Sequence, residues 1–168
     1  MLSAKSVRRL VSPAATILLL FCALIAASCS KGADASFIGT FRIGEGVQVG
    51  PLLYQVLEAE WRNELGNGGR VPRDRYLFVR LSVTNGGSGI ASVPSLTIEG
   101  AGKTYAEVTE SMEHVDDWLG MLRNIGGSQT EQGWIVFDAP MGPYKLVLSE
   151  GEVGDERHAH VDIPVQLE

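Results

Sequence analysis

Two histidines and an aspartate alternate near the carboxyl end of the chain, in the stretch HAHVD. Side chains two residues apart on a β-strand point to the same side, so His158, His160 and Asp162 would present two imidazoles and a carboxylate on one face. Imidazole and carboxylate groups are metal ligands, so this geometry permits a metal site with three protein ligands. No fourth ligand is visible by spacing. The same pattern also describes the polar, solvent-facing side of an amphipathic strand, so the sequence leaves a metal site and a plain polar face open.

A second polar cluster, ESMEHVDDW, sets one histidine among carboxylates: Glu113, His114, Asp116 and Asp117. Oxygen ligands of this kind bind divalent cations. The cluster lacks the Asp-x-Asp-x-Asp-Gly loop that would make such a site specific, and a solvated surface is the alternative interpretation.

Three arginines, Arg70, Arg73 and Arg75, lie in the predicted loop NELGNGGRVPRDR, residues 63–75. Loops of this length in compact domains often carry function. The surrounding chain is acidic, with 14 Lys and Arg against 20 Asp and Glu and a net charge of −6. The loop therefore predicts contact with an acidic partner or surface polymer, the alternative being a mobile, solvated connection. The acidic balance argues against nucleic acid, whose phosphates require a basic surface.

Other familiar reaction motifs do not fit this sequence. The stretch GEGVQVG (44–50) has the wrong spacing for a dinucleotide loop and leads into a predicted strand. The GGSG at 86–89 follows a strand without a helix after it, so Ser88 is not a nucleophile elbow. We therefore predict no cofactor and no enzymatic activity, with a secreted hydrolase as a remote alternative.

The residue with the clearest predicted chemistry is Cys29. Residues 1–28 have a basic start, an apolar stretch and small residues before the cysteine, which is the plan of a secretory signal peptide. The stretch IAASC resembles the lipobox of bacterial lipoproteins, although Ala26 stands where leucine or valine is usual. We expect cleavage before Cys29, lipidation of its thiol with a fatty acid such as palmitate, and a flexible tether over 29–36.

Two alternatives for this leader remain open, a plain secreted protein and a transmembrane anchor. The 14 apolar residues from Ala14 to Ala27 are fewer than the ~20 that a spanning helix needs. Cys22 would leave with the leader, so the mature chain would hold one cysteine and no internal disulfide. Acylation would remove a thiol that is a liability outside the cell.

The elements that must position these residues are short strands. The clearest is RYLFVRLSVTN (75–85), in which apolar residues alternate with others. QGWIVFD (132–138) is apolar on both faces and predicts a central strand. The stretch 51–61 changes its alternation, which predicts a bulge near residue 57.

Further strands are predicted at 37–43, 47–50, 94–99, 103–108 and 143–150, and one that carries the HAHVD stretch. One short helix is predicted near 111–122 from apolar spacings of three and four, with Gly120 limiting its length. Seven or more strands separated by Gly and Pro turns predict an all-β fold over 37–168: an immunoglobulin-like, two-sheet antiparallel sandwich.

Several stretches, in order, resemble the immunoglobulin-like extracytoplasmic domain of unknown function 4352: LLYQVLEAEWRNELG, RYLFVRLSVTNGGSG, GKTY, WLGMLRNIGGSQTEQGWIVFDAP and YKLVL. This resemblance, over about 46–166, implies a β-sandwich often carried on bacterial lipoproteins, and it brings no active-site residues. We expect a non-enzymatic, membrane-tethered module that contacts a protein partner or ligand in the cell envelope. It would be anchored through Cys29 on the outer side of the cytoplasmic membrane or on an outer membrane.

Overall fold

The structure is a computed structural model that describes residues 36–66, 69–110, 112–121, 123–151 and 157–165. Cys29, the signal peptide and most of the tether lie outside the described residues. Among the described residues no helix has the length and apolar character needed to cross a membrane. The same residues form eleven strands and one 3-10 turn: β1 (Phe37–Arg42), β2 (Gly46–Val49), β3 (Leu52–Arg62), β4 (Arg75–Asn85), β5 (Ala91–Val93), β6 (Thr97–Gly100), β7 (Lys103–Ala106), η1 (Met112–His114), β8 (Arg123–Ile125), β9 (Thr130–Ala139), β10 (Tyr144–Ser149) and β11 (His158–Ile163).

The strands build a two-sheet β-sandwich, which confirms the predicted fold class. One sheet has the order β1-β11-β10-β6-β7 and the other β2-β3-β4-β9, while β5 and β8 form a separate two-stranded ribbon. One pair departs from the antiparallel prediction, because β1 runs parallel to β11. The chain forms β1 beside β11 and then crosses to the other sheet, where it forms β2. The two consecutive strands β1 and β2 therefore do not form a hairpin.

The main core lies between the two large sheets and takes one face from each. Leu77, Val79 and Leu81 of β4 pack inward against residues such as Leu146 and Val161 of the opposite sheet. A register shift between Val56 and Glu58 confirms the predicted bulge in β3. The bulge lets Val56 and Ala59 both face the core, although they are three residues apart, and leaves Leu57 at the surface.

The strand β9 is not central, contrary to the prediction from its apolar sequence. It is the last strand of its sheet, and the segment after β7 covers its free edge. The amides of Val108 and Leu119 donate to the carbonyls of Val136 and Trp134, at 2.8 and 3.0 Å. This covering segment also buries the outer face of β9 in a second apolar cluster, which includes Phe78, Val108, Met112, Val115 and Val136. Edge pairing and a second core, and not a central position, explain why both faces of β9 are apolar.

The predicted helix near 111–122 reduces to the three-residue turn η1. Asp117 and Gly120 both have positive φ, 56° and 82°, which ends helical geometry there. The periodic apolar residues serve different purposes, since Met112 and Val115 fill the second cluster while Leu119 packs against the main core. The three-residue strands β5 and β8 carried too little pattern to be predicted.

Candidate functional site

The two ends of the sandwich carry different side chains. The chain enters at Ser36, where Phe37 of β1, His158 of β11 and Ser149 of β10 lie side by side, and we call this the proximal end. The opposite, distal end is marked by a row of register partners across the outer face of the same sheet: Arg42, Asp162, Lys145 and Glu99. The connection from β9 to β10 joins the two sheets at the distal end, which therefore also contains the arginine loop.

Asp138, near the end of β9, holds the arginine loop in place. Its carboxylate accepts hydrogen bonds from the backbone amides of Arg73, at 2.9 and 3.1 Å, and Asp74, at 3.1 Å. It also accepts one from the guanidinium of Arg70 at 3.3 Å. The hydroxyl of Tyr76 donates to the carbonyl of Arg70 at 2.8 Å. Asp138 is thus a site residue that the sequence reading missed, since Asp is an ordinary residue at a strand end.

The three predicted loop arginines have different surroundings. Arg70 is committed to Asp138 and to Glu110, whose carboxylate lies 3.5 Å away. Arg75 donates to the side-chain oxygen of Asn63 at 2.9 Å and to the sulfur of Met141 at 3.2 Å. The guanidinium of Arg73 has no hydrogen-bond or ion-pair partner among the described residues. Asp138 therefore binds the side chain of Arg70 and the backbone of Arg73. The guanidinium groups of Arg73 and Arg75 have no carboxylate partner among the described residues.

A buried ion pair lies behind this loop. Glu107 and Arg123 bond through both carboxylate oxygens, and each side chain is 2% exposed. Arg123 also donates to the carbonyls of Gly120 and Pro94, and the amide of Leu96 donates to Glu107 at 2.6 Å. Neither residue stood out in the sequence, because the two lie on segments whose pairing was not predicted.

Two open depressions lie in this region of the molecule. One, of about 270 Å³, is lined by residues that include Arg70, Arg73, Glu107 and Asp138. The other, of about 540 Å³, is lined by residues that include Glu99, Lys103, Tyr144, Lys145 and Asp162. Both mix cationic and anionic groups, which suits polar contact with another molecule.

Tyr144, in the larger depression, is tied to the protein. Its hydroxyl donates to the carbonyl of Pro140 at 2.6 Å, and its ring leaves no room for a side chain at Gly100. Burial, with help from Tyr105, raises the pKa of Tyr144 to about 12. This phenol therefore stays protonated at neutral pH and is a structural group.

His158, His160 and Asp162 share one face of β11, as predicted. The two histidine rings lie beside each other, with centroids 5.7 Å apart, while Asp162 has a partner of its own. The Phe37 ring packs against His158 and His160, with ring centroids 5.4 and 4.9 Å apart. Asp162 forms an ion pair with Lys145 at 2.7 Å. Burial lowers the pKa of His160, which favours the neutral form of this imidazole.

The part of the chain that the structure describes contains no group of three His, Cys, Asp or Glu side chains placed to hold a metal ion. In the acidic cluster, the His114 ring lies 3.6 Å from the Glu113 carboxylate, while Asp116 and Asp117 are exposed. A metal ion at His158, His160 and Asp162 stays a prediction.

The glycine-rich loop 86–89 has a structural role, and Asn85 organises it. This buried amide donates to the carbonyls of Gly89 and Ile125, at 2.7 and 2.9 Å, and accepts from the amide of Gly87 at 2.8 Å. Three bonds to backbone groups, two in this loop and one at the end of β8, explain why an asparagine ends β4.

Comparison with known proteins gives a family and several similar folds. A family model described as "Domain of unknown function (DUF4352)" matches residues 41–158. No curated protein sequence matches the chain significantly.

Among solved structures, the yjhA protein of Bacillus subtilis has a TM-score of 0.59 at 19% identity, with 73% of this chain and 98% of that chain covered. A "putative lipoprotein (ycdA)" of Bacillus subtilis has a TM-score of 0.59 at 14% identity, and the match covers 73% of this chain but only 39% of that chain. A functionally unknown protein from Listeria monocytogenes EGD-e has a TM-score of 0.55 at 9% identity, with 73% and 82% covered. At these identities the likeness is one of fold.

Proposed function

We propose that this chain, which belongs to the DUF4352 family, is a lipid-anchored module of the bacterial cell envelope that works by contact with a partner, and not by catalysis. The observation that carries the proposal is the stretch IAASC, which sets Cys29 behind a signal-like leader and a few residues before the sandwich begins. The fold likeness to a protein described as a "putative lipoprotein" supports the same location.

The surroundings of the ionisable groups at the distal end support contact over catalysis. Asp138 binds loop backbone, Glu107 binds Arg123, and Tyr144 has its pKa raised to about 12. General acid–base catalysis needs a group whose pKa lies near the working pH and that can reach a substrate. These three groups instead hold the fold together, and the exposed arginines beside them are suited to binding.

The anchor is tested by substituting Cys29→Ala in the full chain, with Cys22→Ala as the matched control. We expect labelled palmitate to be incorporated into the wild-type chain and the Cys22→Ala variant and to be absent from Cys29→Ala. The size of the product on a gel separates a released mature chain from one that keeps its leader. Label that persists in Cys29→Ala, or that is absent from the wild type, would contradict the proposal.

A further inference from the structure

Among the residues that the structure describes, the cationic side chains without a carboxylate partner lie at the distal end. Ten Lys and Arg residues fall within the described ranges. Six of these pair with an Asp or Glu: Arg62, Arg70, Arg80, Arg123, Lys145 and Arg157. The remaining four described cations are Arg42, Arg73, Arg75 and Lys103. In a chain with excess negative charge, cations whose charge no described carboxylate neutralises are available at this end to the carboxylates of another molecule.

The location of these four follows from strand pairing. Arg42 ends β1 beside Asp162, and Lys103 begins β7 opposite Gly100, one residue from Glu99 in the distal row. Arg75 begins β4 opposite Ala139, and Arg73 is held two residues before it by Asp138. Three of the four are therefore placed by the ends of strands, and Arg73 is placed by the hydrogen bonds from its amide to Asp138.

Exposed apolar residues accompany these charges. Val71 in the arginine loop is 82% exposed, and Met141, whose sulfur contacts Arg75, is 42% exposed. Arginine and methionine are enriched where proteins bind proteins, and a rigid arginine fork recognises carboxylates in a two-point geometry. A polyanionic polymer fits less well, because Asp74 and Glu99 interrupt the positive charge along this end.

We propose that the distal end of the sandwich is a docking surface for a protein partner that presents an acidic segment with apolar residues beside it. Carboxylates of the partner pair with Arg73, Arg75 and Lys103, and its apolar side chains cover Val71 and Met141. This inference rests on the proposed contact function, because it assigns that function to one end of the domain.

The test is photo-crosslinking in cells of the full, anchored chain, with a benzophenone amino acid at position 71. Position 90 is the matched control, because Ile90 is 79% exposed but lies at the proximal end, beside the loop that Asn85 organises. We expect one discrete protein adduct from position 71 and none from position 90. Mass spectrometry of the adduct should place the crosslink in or beside a segment rich in Asp and Glu.

Charge dependence is tested in the same cells with the double variant Arg73→Glu and Arg75→Glu, and with Arg73→Lys as the conservative control. Charge reversal should reduce the adduct by about tenfold or more, as expected for the loss of close charge pairs, while Arg73→Lys keeps it. Thermal melting of each purified variant checks that the fold is intact.

The inference is overturned by the same adduct at both positions, by no adduct at position 71, by a smear of polymer, or by a crosslinked segment without acidic residues. Palmitate labelling of Cys29 in these cells separates the two proposals. Normal labelling without an adduct at position 71 rejects the docking surface alone, while loss of labelling rejects the anchor and leaves the crosslinking result to be read independently.

Discussion

Two carboxylates at neighbouring positions, Glu107 and Asp138, each bind an arginine side chain, and the two arrangements have different consequences. Glu107 and Arg123 are each 2% exposed, and each satisfies the other. Asp138 is 10% exposed, but its partner Arg70 is 40% exposed, and the same carboxylate binds the backbone of Arg73 without touching that residue's guanidinium. The first arrangement ties segments of the fold together, whereas the second fixes a loop and leaves a charge directed to solvent.

Breaking the buried pair should have the largest effect on stability. Glu107→Gln leaves the Arg123 charge buried without its counter-ion, and we expect the free energy of unfolding to fall by about 3–5 kcal/mol. Urea titration of the purified protein, followed by tryptophan fluorescence, measures this loss.

The matched control for that variant removes both charges, in the double substitution Glu107→Gln with Arg123→Met. This change leaves no uncompensated buried charge, so it should restore much of the stability that the single substitution loses. A double variant less stable than Glu107→Gln would show that the other hydrogen bonds of Arg123 matter more than its charge pairing.

Removing the carboxylate of Asp138 should have an intermediate effect. In Asp138→Ala the amides of Arg73 and Asp74 lose their acceptor, and these partly exposed groups gain water in exchange. We expect a loss of about 1–3 kcal/mol, because two amide hydrogen bonds are lost and each contributes about 0.5–1.5 kcal/mol after exchange with water. Hydrogen exchange at the amides of Arg73 and Asp74 should accelerate in this variant, with less change in Asp138→Asn, which keeps one acceptor oxygen. Unchanged exchange in Asp138→Ala would show that Asp138 does not hold the loop.

A third pair, Glu150 with Arg157, should contribute less and should depend on pH. Hydrogen bonding to Arg157 lowers the pKa of Glu150 below its ordinary value of 4.5. The unfolded chain then binds a proton at higher pH than the folded one, so the stabilisation is present above about pH 4.5 and is lost as the pH falls through the folded pKa. Arg157 is 56% exposed, so we expect less than about 1 kcal/mol.

The measurement for this pair compares thermal melting of the wild type and Arg157→Gln at pH 7 and near pH 3. The difference between the two proteins should shrink at the lower pH. A difference that is equal at both pH values would mean that the pair contributes through packing and not through charge.

The fold was largely predictable because alternation reports burial directly. It identified β4 and the bulge in β3, where residue 57 lies at the surface. It misplaced β9, because a strand covered on its outer face by a distant segment has the same sequence pattern as a central strand. It also assigned a helix to 111–122, where apolar residues at helical spacing serve two separate clusters.

The candidate site was predictable only on its cationic side. A group of arginines in a long loop of an acidic chain stands out in the sequence, but Asp138 lies 65 residues from Arg73 and looks like any strand-end residue. The pairing of Glu107 with Arg123 depends on segments that meet only in the folded chain. Side-chain partnerships across sheets require the register of the strands, which one sequence does not contain.

The smallest effect on stability should come from the residue that matters most for the proposed contact. Arg73→Glu removes a guanidinium without a described partner, and its backbone amide still donates to Asp138, so the free energy of unfolding should change by no more than about 0.5 kcal/mol. Thermal melting of Arg73→Glu and of Glu107→Gln under the same conditions compares the two arrangements directly. If Arg73→Glu were as destabilising as the buried-pair variant, the Arg73 charge would belong to the fold, and it could not be reserved for a partner.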